Sequence, residues 1–300
     1  IVALRRRTEP AASRYLSKNN LNVARLPALL DAIPEARAVV PVRDPLQHAA
    51  SLHRQHLRFT EMHQRDAFAR RYMAGIGHFD FGANLKPIDF DGNTRYPLIV
   101  SLHGGGGKGT DNRKQLKDWN KQLAENERRA KYPCYVLAPQ ANDLWNGEHL
   151  RKIQAIIKNL PAVDMDRLYI LGHSMGGHGT YIMIQIAPDY FAAAAPSAGS
   201  GLRTTEKFID ASVIKDIPIW AFHGSEDRVC PYERDLALFN EMKKLGGNMK
   251  LTTWKGDKHG VSGKMIPGAE NGETQVSGDR CDKEPDFMKW LFAHKLDERK

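Results

Sequence analysis

An α/β architecture, a mainly parallel sheet covered by helices, is what the sequence predicts for residues 91–300. Three observations predict it. Short apolar runs alternate with longer helical patterns from residue 97 to residue 296. The glycine-bearing motifs "HGGGG", "GHSMG" and "HGSED" each follow one of those runs, where strand ends of such sheets carry their chemistry. A chain of 300 residues, 41% apolar and 26% charged, is long enough to bury a sizeable core.

Taken in order, residues 1–90 have a character of their own. They are rich in arginine and histidine, with helix patterns at about 20–32 and 46–73 around the strand-like "ARAVVPVR". The stretch "GIGHFDFGANLKPIDFDG" reads as loop, and a boundary falls near Asp91–Gly92. This part is expected to be a mostly helical N-terminal appendage. Strands then follow at "PLIVSLHG", "CYVLAPQ", "RLYILGHS", "FAAAAP", "IPIWAFHG" and "MKLTTWKG". Helices lie between them at about 112–130, 148–160, 175–187, 231–246 and 284–296. Such short apolar strands suit a sheet buried on both faces. Right-handed crossovers bring their C-terminal ends to one edge.

The net charge of +9 raises nucleic acid as a partner, but its placement argues against one. Residues 1–90 hold 14 Lys and Arg against 8 Asp and Glu, scattered without the aromatic interleaving of a single-strand binder. The longest apolar run, "YFAAAAPSAG", is short and interrupted by proline, so no membrane is expected as partner. The start "IVALRRRTEP" has no charged-then-apolar leader. The chain as encoded is expected in the cytoplasm, with secretion of the native protein left open. Cys134 reads as a buried strand thiol; Cys230 and Cys281, in loops near the proposed site edge, are either a pair or two free thiols. No HExxH or EF-hand pattern occurs, so no metal is expected. The glycine run fails as a phosphate loop: Gly109 stands where Ser or Thr is required and Leu102 where the first glycine belongs.

The chemistry centres on Gly172-His173-Ser174-Met175-Gly176. A strand-to-helix elbow has no room for side chains two places either side of its serine, which is lifted clear of the sheet. Serine needs a base, and His259 in "WKGDKHGV" follows the last predicted strand. Asp227 in "IWAFHGSEDRVCP" follows another strand and can orient that imidazole, although Glu226 is adjacent. Ser174, Asp227 and His259 are thus candidate nucleophile, acid and base. Backbone N–H groups of Gly105 and Met175 are the candidate oxyanion hole. His103 is expected to orient the glycine loop, and His173 and His178, flanking the elbow, to pack.

From about residue 92 onward, "YPLIVSLHGGGGKGTDNRKQL", "YVLAPQANDLW", "LYILGHSMGGHGTY" and "IWAFHGSEDRVCP" together resemble the α/β-hydrolase superfamily. The nearest branch is similar to predicted peptidases, feruloyl esterases and polyhydroxyalkanoate depolymerases. The resemblance implies the α/β-hydrolase fold and a serine carboxylesterase acting on a small-molecule ester without a cofactor. A serine peptidase is the alternative. It also puts Trp145 near the acyl or alcohol pocket, with His103, Gly104, Gly106 and His173 as further pocket candidates. The stretch from His259 to Asp286 would line the entrance.

Residues 20–90 resemble the C-terminal part of a sulfotransferase, with Arg43 and Ser51 of "VVPVRDPLQHAAS" at phosphate-holding spacing. The matching 5′-phosphosulfate loop is absent from the sequence, so sulfate transfer is not expected; a nucleotide-binding module beside an inactive hydrolase is the rival from another class. The two parts read as a chimera of the kind environmental DNA yields. The appendage is expected to cover a sheet edge or to mediate homo-oligomerisation.

Overall fold

The computed structural model describes residues 54, 57–67, 94–199 and 209–299. The chain divides into two units, Ile1–Pro87 and Ile88–Lys300. In the first, residues 57–65 are helical, within the expected 46–73 helix. Arg43, Ser51, the helix expected at 20–32, the strand "ARAVVPVR" and the boundary at Asp91–Gly92 lie outside the described residues.

The second unit is built on a seven-stranded sheet: β1 Tyr96–Leu102, β2 Tyr135–Leu137, β3 Val163–His173, β4 Ala193–Ser197, β5 Ile219–Gly224, β6 Met249–Trp254 and β7 Glu273–Val276. Their spatial order is β2-β1-β3-β4-β5-β6-β7. Every pair is parallel except β6–β7, which is antiparallel. The six strands expected from sequence are all present. β7 lies in the stretch expected to line the entrance: its polar residues are exposed and form an edge, so they carry no apolar run to betray a strand.

The described helices are α1 Asp118–Leu123, α2 Asn126–Lys131, α3 Gly147–Asn159, α4 Met175–Ile186, α5 Ala211–Ile214, α6 Tyr232–Lys244, α7 Ser262–Met265 and α8 Phe287–Ala293. The single helix expected at 112–130 is two short ones, α1 and α2. The strand period of two sorts side chains onto two faces. Leu98, Val100, Leu102, Ile170, Ile219 and Ala221 point into one core, with α3, α4, α5 and α6. Ile99, Tyr169, Leu171, Trp220 and Phe222 point into the other, with α1, α7 and α8.

The second core is aromatic. Trp220 stacks on Phe222 at 5.5 Å and meets Trp290 edge-on at 5.3 Å. Pairs of this kind add about 0.5–1.5 kcal/mol beyond their buried area. Near them, buried Lys250 lays its Nζ 3.8 Å from the Trp220 ring centre and donates to Glu284 O at 2.6 Å. The residues are small where α4 crosses β4, whose sequence is Ala-Ala-Ala-Pro-Ser and whose Ala194 faces the first core. That lets the elbow helix press against the sheet.

All three cysteines are free. Cys281 Sγ lies 3.4 Å from Met249 O, at the start of β6 and so at the end of the sheet opposite Ser174, not at the site edge as expected. Cys230 is buried on the Ser174 side, so the two are held apart by the length of a strand. Cys134 precedes β2 and is half-buried, where a buried strand position was expected. Among the described residues, no helix is long and apolar enough to cross a membrane, and no cluster of His, Cys, Asp and Glu is arranged to hold a metal.

Candidate active site

Ser174 stands between β3 and α4 with φ 58° and ψ −120°, a backbone conformation that costs a non-glycine residue of order 1–3 kcal/mol and persists because its surroundings enforce it. Its N–H donates to Ser197 O at 2.8 Å, and its carbonyl accepts from His178 N–H at 2.9 Å. The flanking glycines are steric requirements. A Cβ on Gly176 would collide with the Leu102 carbonyl, and one on Gly172 would lie 2.5 Å from Gly176 O. β1, β3 and α4 can therefore meet at the elbow only without those side chains.

The side chains of Ser174, His259 and Asp227 form one line. Ser174 Oγ is 2.8 Å from His259 Nε2, and His259 Nδ1 is 2.7 Å from Asp227 Oδ2. Asp227 Oδ1 accepts from the N–H groups of Val229 at 2.8 Å and Cys230 at 3.0 Å. Burial would raise the Asp227 pKa, but hydrogen bonds from His223, His259 and those two amides hold it well below the ordinary carboxylate range. Glu226 makes no comparable contact with His259: its backbone N–H bonds Asp257 O.

The glycine loop lies against Ser174. A Cβ placed on Gly104 would be 3.4 Å from Ser174 Cβ and 3.1 Å from His173 O. Gly105 and Gly106 are exposed at its tip, in a short 3-10 turn. Met175 is the first residue of α4, where an N–H has no intrahelical acceptor.

Two pocket candidates belong elsewhere. His103 is fully buried behind the loop: Nε2 accepts from Ala141 N–H at 2.9 Å and Nδ1 donates to Gly104 O at 2.8 Å. With both ring nitrogens engaged by backbone, it braces the loop and lines no pocket. Trp145 is 2% exposed, packed over Gly179 of α4, and donates from Nε1 to His103 O at 3.1 Å. It is a core residue because α4 leaves a gap only a glycine allows. His173 lies against His259, its ring centre 4.8 Å from that of His259 and its Nδ1 3.0 Å from Ser197 Oγ. Burial pushes its pKa down to about 3, so it is neutral.

Sequence reading missed the groups behind Asp227. His223, the penultimate residue of β5, places Nε2 3.1 Å from Asp227 Oδ2 and Nδ1 against Asp235 of α6. Tyr181 of α4 donates to the other Asp235 oxygen at 3.0 Å. The only signal was a polar residue inside the apolar run "IPIWAFHG". Cys230 is buried next to Asp227, to which its N–H donates, and burial pushes its thiol pKa up to about 12, which keeps the thiol neutral and unreactive.

Residues 122–275 match the profile of the Dienelactone hydrolase family, about half of the chain. A solved thermostable esterase is 32% identical with a TM-score of 0.57, covering 70% of this chain and 57% of its own. Among curated proteins, an uncharacterized peptidase of Bacillus subtilis (strain 168), YuxL, is 23% identical over 222 residues, 59% of this chain and 33% of its own. The chain thus spans little more than half of the esterase and a third of the peptidase.

Proposed function

The chain belongs to the dienelactone hydrolase family of α/β hydrolases, and we propose that within it the protein is a serine carboxylesterase. The observation that carries this reading is the hydrogen-bonded line Ser174–His259–Asp227, with contacts of 2.8 and 2.7 Å. Ser174 Oγ attacks the acyl carbon while His259 Nε2 takes its proton. Asp227 keeps the proton on Nδ1 and stabilises the imidazolium that forms. The negative oxygen of the tetrahedral intermediate faces the N–H groups of Gly105 and Met175, a contribution of about 10²–10³ in rate per donor. The imidazolium then protonates the departing alcohol, leaving an acyl-serine. Water, deprotonated by His259, attacks that ester, and the carboxylic acid leaves as Ser174 recovers its proton.

The similarity to a thermostable esterase supports an ester as substrate. The Gly105–Gly106 tip is exposed beside the site, and aryl and feruloyl esters are the substrate classes we propose. The peptidase among the curated relatives favours amides as a second reading, since the same three residues serve both. Initial rates on p-nitrophenyl butyrate and on butyryl p-nitroanilide separate them. A kcat/KM far higher for the ester supports the esterase. Equal or greater anilide turnover overturns it in favour of the peptidase.

A further inference from the structure

We propose that His223 is a positioning residue of the reaction: held as a buried imidazolium between Asp227 and Asp235, it shares the Asp227 carboxylate with His259 and restrains the basicity of that histidine. The inference rests on the serine-hydrolase reading of Ser174 and His259.

The geometry favours the charge. His223 is completely buried, and every polar atom facing its ring is an acceptor. Asp235 Oδ2 faces Nδ1; Asp227 Oδ2 at 3.1 Å and the Cys230 carbonyl at 2.8 Å face Nε2. A neutral imidazole has one N–H and would aim a lone pair at one of these oxygens. Only the imidazolium donates to both sides. Tyr181 and the first turn of α6 support the Asp235 charge. Burial would lower the His223 pKa, but the Asp235 charge and the hydrogen bonds that the ring donates to both carboxylates raise it to about 10.

Asp227 consequently has all its acceptor directions filled: two backbone N–H groups on Oδ1 and two imidazoles on Oδ2. That locks the carboxylate plane toward His259. It also sets an electrostatic balance. Asp227 attracts a proton onto His259, whereas the adjacent imidazolium offsets part of that attraction. Apart from His259 itself, the other titratable groups around His223 are neutral His173 on β3, Tyr181 on α4, the Cys230 thiol and Tyr232 on α6, and none of these four supplies a second cation beside Asp227.

Two measurements on the full chain test this. The first is the rate at which a fluorophosphonate labels Ser174, followed from pH 5 to 9 in the unmodified protein and in His223→Gln, which keeps a neutral donor near Asp227. The half-maximal pH is expected to rise by about one unit in the variant, a roughly tenfold slower labelling at the acid end. An unmoved midpoint in a folded variant overturns the inference alone. No labelling of the unmodified protein overturns the serine-hydrolase reading, and the inference with it. The second is nitrogen NMR of histidine-labelled protein at pH 8.5, which needs no variant to fold. One imidazole protonated on both nitrogens is expected; its absence overturns the proposal.

Discussion

His173 and His259 lie ring against ring, centroids 4.8 Å apart and planes 42° apart, directly beneath the hydrogen bond from Ser174 to His259. The lower ring, tied to Ser197, is a floor that sets the tilt of the upper one. His173→Ala should lower kcat/KM by about 10–100-fold, because a small misplacement of the base is costly. His173→Phe, which restores a ring, should recover most of the loss. Equal rates for both variants and the parent would remove the floor from the account.

Stability should fall on both sides of near-neutral pH. His173 has a folded pKa of about 3, below its unfolded value, so its contribution is present above about pH 6.5 and is lost as pH falls toward 3. Asp227, also depressed, acts in the same direction at still lower pH. His223 has the opposite sign: raised to about 10, it contributes fully below about pH 6.5 and loses that contribution as pH rises through 10. Melting midpoints measured from pH 4 to 10 should form a dome whose alkaline side flattens in His223→Gln.

Two glycines should respond differently to alanine. At Gly176 the added methyl meets the Leu102 carbonyl, a backbone atom of a central strand, and about 3 kcal/mol or more of stability should be lost. At Gly105 it meets nothing within 4 Å and the N–H remains. That variant should melt within about 0.5 kcal/mol of the parent. Denaturant midpoints decide both.

The three thiols should behave as free and poorly accessible. Cys230 and Cys134 are both raised to about 12 by burial, and Cys281 is buried at the far end of β6. An aromatic disulfide reagent should titrate three thiols in denaturant and react slowly with native protein, and reductant should leave the melting midpoint unchanged. Recovery of only one thiol without reductant would indicate a bond between the other two.

The parallel part of the fold was legible because β1, β4, β5 and the second half of β3 are nearly continuous apolar runs, and the elbow because its glycines answer a steric need. β7 was not, since an edge strand reading Glu-Thr-Gln-Val has no buried face to leave a pattern. The positions of Ser174, Asp227 and His259 at strand ends were readable for the same topological reason that brings them together. What surrounds them was less so. His103 and Trp145 are polar or aromatic residues next to a glycine loop, and only packing decides that they brace it from behind. The His223–Asp235–Tyr181 chain joins β5, α6 and α4, and side chains that meet across three elements leave no spacing in the sequence.

The central claim is that Ser174, activated by His259, performs the chemistry. The most direct test is hydrolysis of p-nitrophenyl butyrate by the intact chain and by Ser174→Ala at equal concentration. The account predicts a measurable kcat in the first and a loss on the order of 10⁶ in the second, since residues that act as a unit fail as a unit. A Ser174→Ala protein that turns over the ester as fast as its parent would contradict it.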